Sequence, residues 1–316
     1  MKRIYSFLLI CLLCALCGCH MPEKQKNDTL QIVTTNFPAY DFARQIAGGY
    51  ANISMLLAPG EESHTFEPTP QDMITLTKAD LFILGGGKSD SWALRLLESS
   101  EPSEDKTLKM MDCTNNISNA STEEMHHAKH AHTSQDHSQF YAYDEHVWTS
   151  PQNAMVICEK IAEKLILADS AHAAAYSENL KNYLNNLSLL DASFSEIVEN
   201  APHQTMIFAD RFPFRYFADR YNLTYFAAFP GCSGETEPDA STMKFLIDKV
   251  NTESIPVVFY TELSNRKIAD AICEATNAKQ LLFHSCHTVT KDEFERGETY
   301  VSLMEQNAAA LKEALS

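Results

Sequence analysis

Two runs of alternating short and long patterns, separated by a helical stretch, limit the folds open to this chain. Before residue 114, short runs rich in Val, Ile, Leu and Phe, such as LQIVTT and DLFILGG, alternate with longer helical patterns. The alternation returns after residue 202, in TMIFA, PVVFYTE and KQLLFHS. Short apolar strands alternating with helices are typical of parallel sheets covered by helices. We predict an α/β fold with two lobes, each a mainly parallel sheet flanked by helices.

The stretch between the two runs predicts one long helix. Residues 170–201 contain neither Pro nor Gly. A helix of roughly 30 residues spans about 45 Å, more than one lobe needs, so we interpret it as a connector. A chain of 316 residues is long enough for two domains. The predicted division is an N-terminal lobe at 29–169, a connecting helix at 170–201 and a C-terminal lobe at 202–316.

The N-terminus has the pattern of a secretion signal. Lys2 and Arg3 precede an apolar run that ends at Leu16, which is too short to span a bilayer. The segment LCGC resembles a bacterial lipobox, which implies cleavage before Cys19 and lipidation of that residue. We predict a signal peptide at 1–18, a tether at 19–28 and an extracytoplasmic protein that is lipid-anchored to the bacterial cell membrane.

The overall charge excludes one class of partner. The chain has 25 Lys and Arg against 42 Asp and Glu, a net charge of -17. Nucleic-acid binding needs a basic face, and none is visible in the sequence. We predict no nucleic-acid partner, and the acidic balance suits a cation as ligand.

A histidine-rich segment interrupts the first lobe. Residues 115–144 have neither helical nor strand periodicity and predict one long surface loop. Its histidines are His126, His127, His130, His132 and His137. Imidazole binds zinc, copper, nickel and iron, so the loop could collect metal loosely. An insertion of accidental composition is the alternative.

Three further histidines lie where a strand or loop leads into the next element. They are His64 in APGEESHTFEPTP, His146 in DEHVWTSP and His284 at the end of QLLFH. Parallel α/β sheets bind ligands at the carboxyl ends of their strands. His64 could instead be a solvated surface residue, and His284 a polar strand-end residue facing water. After His146, Ser150 and Pro151 predict the N-cap and first position of a helix.

The two motifs around His64 and His146, in a lipoprotein with two α/β lobes and a long connecting helix, point to a family. They resemble the metal-binding lipoproteins of bacterial ABC importers, the zinc and manganese cluster. The resemblance covers nearly the whole mature chain. It implies an importer permease as partner. A histidine-rich loop just ahead of the second motif is typical of the zinc members of this family.

The resemblance also implies a ligand set. His64 and His146 match first-lobe ligands, but Arg211 stands where the family commonly has a third histidine. A guanidinium has no acceptor lone pair and cannot bind a metal. Asp210 could supply an oxygen, or could form a structural pair with Arg211. The last ligand of the family falls at about His284, so we predict a tetrahedral site of His64, His146 and His284 with Asp210 or water.

Two cysteines follow strands of the second lobe. They are Cys232 in FPGCSGETEP and Cys286 in FHSCH. Outside the cytoplasm a disulfide between them is our preferred interpretation. Thiolate ligation of the metal is the alternative and would make release harder.

The predicted function is a monomeric zinc receptor, not an enzyme, that captures Zn²⁺ between two lobes and delivers it to an importer permease. A manganese receptor is the nearest alternative, although Mn²⁺ prefers oxygen-rich octahedral sites. A surface zinc-scavenging or adhesin protein is another. A secreted zinc hydrolase is less favoured, because the sequence has no HExxH pair.

Overall fold

The structure, a computed structural model, describes residues 29–62, 65–100, 104–114, 144–229 and 237–316. Several sequence predictions lie outside these residues. They concern the signal peptide and tether with Cys19, the ligand His64, the cysteine Cys232 and the five histidines of the histidine-rich loop.

The first lobe is built on a four-stranded parallel sheet. Its strands are β1 Leu30–Thr34, β2 Ala51–Met55, β3 Leu81–Leu84 and β4 Thr107–Lys109. They lie in the order β2-β1-β3-β4, and every neighbouring pair is parallel. The order reverses between β1 and β3, so the loops after these strands diverge and leave a crevice at the carboxyl edge.

The second lobe repeats this topology. Its strands are β5 Thr205–Arg211, β6 Thr224–Phe229, β7 Val257–Tyr260 and β8 Lys279–Leu282. They lie in the order β6-β5-β7-β8, again with parallel pairs. The prediction of two α/β lobes with mainly parallel sheets is confirmed.

In its described part the first lobe contains four α-helices, and the cap that the sequence predicts for the last of them is present. They are α1 Phe37–Ala47, α2 Pro70–Thr77, α3 Ser91–Ser100 and α4 Pro151–Ala168. The Ser150 side chain accepts a hydrogen bond from Asn153 N, and Pro151 opens α4, as predicted. This fixed start positions the segment 144–149 just ahead of it.

A long helix, α5 Ala173–Glu199, follows the first lobe. A short 3₁₀ turn at Ser170–His172 precedes it, so the regular helix begins later than the pattern predicted. Its inward face recurs at intervals of three, four or seven residues, as an amphipathic helix requires: Tyr176, Tyr183, Leu187, Leu190, Phe194 and Val198. Neither α5 nor any other described helix has the length and apolar character to cross a membrane.

The apolar core is continuous from one lobe to the other. The second lobe adds α6 Arg215–Tyr221, α7 Ala240–Glu253, α8 Lys267–Ala275, α9 Lys291–Glu295 and α10 Tyr300–Ala314. One cluster of buried side chains includes Ile32 and Trp148, Phe194 of α5, and Phe208 and Phe283. Separating the lobes would expose this surface at a cost of about 25 cal/mol per Å². The fold therefore resists wide opening.

Candidate metal centre

Loops from both lobes meet at the carboxyl edges of the two sheets. Gly60 N, in the loop after β2, donates a hydrogen bond to Val289 O over 2.7 Å. The indole Nε1 of Trp148 donates to Ser285 O over 2.9 Å. The cleft between the lobes is thus lined by the loop after β2, the segment 144–149 and the loop after β8.

His146 is buried at this cleft and held in one orientation by Asp144. The carboxylate Oδ1 of Asp144 accepts from His146 N over 2.9 Å and lies 2.8 Å from His146 Nδ1. Tyr216 donates its hydroxyl to Asp144 O over 2.8 Å. A carboxylate at Nδ1 favours the tautomer that carries its proton there, which makes Nε2 the acceptor nitrogen of the ring. His146 therefore has the environment of a metal-binding histidine.

His287 lies beside His146, although the sequence analysis did not select it. The two ring centroids are 5.3 Å apart with the planes at 81°. Trp148 packs against His287 with 5.1 Å between centroids. The backbone of His287 is held at both ends: Ser285 Oγ accepts from its N over 3.2 Å, and its O accepts from Phe37 N over 3.3 Å. The second histidine of the segment HSCH was the sequence signal that could have identified His287 as a candidate ligand.

His284, the predicted ligand, has its Nδ1 hydrogen-bonded inside the loop, whereas its buried Nε2 faces a carboxylate beyond hydrogen-bond distance. Cys286 N donates to His284 Nδ1 over 2.9 Å, and Nε2 lies 3.6 Å from Glu293 Oε2. Nδ1 is also 3.8 Å from Glu262 Oε2. Burial lowers the pKa of His284, but the two carboxylates raise it more, and the net pKa is above the ordinary value. These contacts favour His287 over His284 as the second-lobe ligand.

Asp210 braces the second sheet. Its Oδ1 accepts from Arg211 N over 2.8 Å, and its Oδ2 accepts from Thr261 Oγ1 over 3.0 Å. Both carboxylate oxygens are thus engaged in linking the end of β5 to the loop after β7. This arrangement favours a structural role for Asp210. The contact with Arg211 is made by the Arg211 backbone N–H and not by its guanidinium.

The Arg211 guanidinium reaches across the cleft to the first lobe. Its Nη1 lies 3.7 Å from Oε2 of Glu62, in the loop that leads to His64. Both side chains are partly exposed, at 31% and 42%. Exposed ion pairs contribute little stability, typically about 0–1 kcal/mol. The pair therefore places a fixed positive charge beside the loop without locking it.

Among the described residues, the rings of His146 and His287 lie side by side at the cleft. Within them, no group of three or more His, Cys, Asp or Glu side chains is arranged to hold a metal. The third predicted histidine, His64, lies outside the described residues. Cys286 carries a buried free thiol, and its predicted partner Cys232 also lies outside them. Both cysteine interpretations stay predictions.

A comparison with known families matches this chain over almost its whole length. The family model described as zinc-uptake complex component A, periplasmic, ZnuA, matches residues 32–314. The chain belongs to the ZnuA family. ZnuA-family proteins are metal-binding transport receptors, and the family that the sequence predicted is confirmed.

Two relatives in the ZnuA family show how much of the chain is shared. Zinc-binding lipoprotein AdcA of Streptococcus pneumoniae is 29% identical over 315 residues, which are 99% of this chain and 61% of AdcA. The high-affinity zinc uptake system protein ZnuA of Bacillus subtilis is 28% identical over 312 residues, 96% of this chain and 94% of that protein. The chain thus spans well under two thirds of AdcA but nearly all of the B. subtilis protein.

Solved structures show the same fold. The Zn(II)-bound ZnuA-like domain of S. pneumoniae AdcA is 26% identical with a TM-score of 0.73, over 91% of this chain and 99% of that domain. The metal-dependent lipoprotein YcdH from B. subtilis is 25% identical with a TM-score of 0.75, over 91% and 100%. The two-lobed ZnuA fold is therefore common to all three chains.

Proposed function

We propose that this protein captures Zn²⁺ in the cleft between its lobes and delivers it to the permease of an ABC importer. The observation that carries the proposal is the pairing of His146 and His287 with ring centroids 5.3 Å apart. Two imidazoles that bind one zinc at about 2.0–2.1 Å in tetrahedral geometry have centroids roughly 5 Å apart. The pair already has the spacing that one ion would impose.

The proposed ligands are His64, His146 and His287, with water or a carboxylate as the fourth donor. His64 enters from the resemblance, and the loop before it is held at the cleft by the bond between Gly60 N and Val289 O. Three imidazoles suit zinc better than manganese, which prefers oxygen donors. Zinc is therefore the proposed cargo.

Zinc release requires a change in the ligand geometry. The continuous core makes wide separation of the lobes costly, so we propose limited movement of the cleft loops. The permease would bind the cleft side of the protein and stabilise the open arrangement of these loops.

The remaining parts of the proposal concern the whole protein. We propose that it is a monomer, anchored outside the cytoplasm through lipid on Cys19, and that it is not an enzyme. The lipobox-like segment and the lipoprotein names of relatives support the anchor. The domain boundaries at 29–169, 170–201 and 202–316 and metal collection by the histidine-rich loop are likewise proposals.

A calorimetric zinc titration of the metal-stripped full chain tests the proposal. We expect one tight site in addition to weaker binding by the histidine-rich loop. His146→Ala and His287→Ala should each weaken the tight site by more than the roughly 10- to 100-fold typical of changes outside the ligand shell. His172→Ala is the matched control, because His172 also pairs through Nδ1 with a carboxylate, Asp169 at 2.6 Å, but at the start of α5. Absence of a tight site in the unaltered chain would contradict the receptor function.

A further inference from the structure

The loop after β8 follows an irregular path between His284 and Thr290. Cys286 has φ of 60°, a left-handed conformation that is uncommon for residues other than glycine. Such a conformation persists only where surrounding contacts determine it. His287, one residue later, depends on this turn for the direction of its side chain.

Polar contacts fix the start of this loop on both sides. Asn307 of α10 accepts from His284 N over 2.7 Å and donates to His284 O over 2.8 Å. Glu262 accepts from Ser285 N over 2.8 Å and also bonds to Ser285 Oγ. The backbone of residues 284 and 285 is therefore clamped by the second lobe.

The His284 imidazole lies inside the turn. Its Nδ1 accepts from Cys286 N, the amide of the left-handed residue, over 2.9 Å. Its Nε2 lies 3.6 Å from Oε2 of Glu293, and that oxygen also accepts from Thr290 N over 2.7 Å and caps α9. The ring thus spans the loop from Cys286 to the start of α9.

The contact with His284 lowers the pKa of Glu293 to about 2, assisted by hydrogen bonds from Thr290 and opposed by burial. Glu293 therefore stays ionised at neutral pH and attracts the Nε2–H group of His284. In the neutral form Nδ1 accepts from Cys286, and in the protonated form it faces the Glu262 carboxylate 3.8 Å away. In either form Nδ1 lies against Cys286 N and Glu262, and Nε2 faces the Glu293 carboxylate across 3.6 Å without a hydrogen bond.

We propose that His284 is a positioning residue that holds the left-handed turn at Cys286 and so directs His287 at the metal, and that it does not bind the metal itself. The inference rests on the proposed zinc site and adds a residue that sets its preorganisation. Ligands held in place before the metal arrives bind more tightly, because less freedom is lost on binding.

His284→Asn and His284→Ala in the full chain test this role. The Asn Oδ1 can occupy the place of Nδ1 and accept from Cys286 N, whereas Ala cannot, and neither side chain offers zinc an imidazole. We expect His284→Ala to weaken zinc binding about 10- to 100-fold, as changes outside the ligand shell do, and His284→Asn to recover most of that loss. Co²⁺, used as a spectroscopic probe at saturation, should give the unaltered visible bands in both variants but changed bands in His287→Ala.

Amide hydrogen exchange of Cys286 and His287 in the metal-free protein tests the positioning role of His284 separately from the proposed zinc function. Exchange should be faster in His284→Ala and near the unaltered rate in His284→Asn, even if the chain binds no zinc. A changed Co²⁺ spectrum in His284→Asn, or a loss of affinity equal to that of His287→Ala, would overturn the proposal by showing that His284 is a ligand. Unaltered zinc affinity and amide exchange in His284→Ala would overturn it as well.

Discussion

At the scale of single residues, the centre depends on which ring nitrogen each histidine presents to the cleft. In His146, Asp144 lies 2.8 Å from Nδ1, so Nε2 is the acceptor nitrogen of the favoured tautomer. His284 has Nδ1 hydrogen-bonded to Cys286 N, and its Nε2 faces the Glu293 carboxylate 3.6 Å away. Burial is the same for these two rings, at 3% and 1% exposed, so partners and not burial distinguish the candidate ligand from the positioning residue.

Asp144→Asn should weaken zinc binding roughly 10- to 100-fold. The amide NH₂ group can donate to Nδ1 of His146, which favours the tautomer that carries its proton on Nε2 and so opposes metal binding there. Zinc titration checks this expectation. Asp169→Asn is the control, since it alters the corresponding pair with His172, at 2.6 Å, on the outer side of the molecule. Equal zinc affinity in Asp144→Asn and the unaltered chain would show that the tautomer is fixed by other contacts.

At the scale of elements, the turn after β3 supports the segment that carries His146. The side chain of Glu145, from the segment 144–149, packs into this turn, where its Oε2 accepts from Ser89 N over 2.9 Å. A Cβ on Gly87 would overlap the Glu145 side chain. The absence of a side chain at Gly87 therefore allows the first lobe to receive the segment 144–149.

Gly87→Ala should lower the free energy of unfolding by about 1–3 kcal/mol through overpacking, and should weaken zinc binding by displacing Glu145 and with it His146. Urea unfolding and zinc titration measure the two effects. Gly49→Ala is the matched control, because a Cβ on Gly49 has no atom within 4 Å. Equal behaviour of the two variants would contradict this role for the turn.

At the scale of the whole molecule, the shared core joins the lobes and one buried acid makes their stability depend on pH. Burial raises the pKa of Asp90 from 3.8 to about 6; hydrogen bonds from Gly86 N and Thr35 oppose the rise, and the Glu145 charge adds to it. The folded protein therefore holds a proton at Asp90 over a pH range in which the unfolded chain has lost it. Stability from this group is present below pH 4 and is lost as the pH rises through about 6.

Asp90→Asn should remove this part of the pH profile. A shift of this size corresponds to about 3 kcal/mol, so between pH 4 and pH 7 the stability of the variant relative to the unaltered chain should rise by up to that amount. Urea unfolding at several pH values measures the difference. Parallel pH profiles for the two proteins would contradict the assignment to Asp90.

The fold class and one of the two neighbouring histidines, His146, could be predicted from local sequence patterns. Strand and helix periods, the Pro- and Gly-free stretch around α5, and the cap at Ser150 are carried by neighbouring residues, so local patterns predict them. His146 was predictable because a short motif places it directly before a capped helix.

The second-lobe residues that line the cleft beside His146 could not be predicted from local patterns. His284 and His287 follow the same strand three residues apart, and the left-handed turn at Cys286, with φ of 60°, separates their directions. That turn is held by Asn307 and Glu262, which are distant in the sequence. Asp210 is likewise occupied by Thr261 of a neighbouring strand's loop. The direction of these side chains depends on long-range partners, which no local pattern contains.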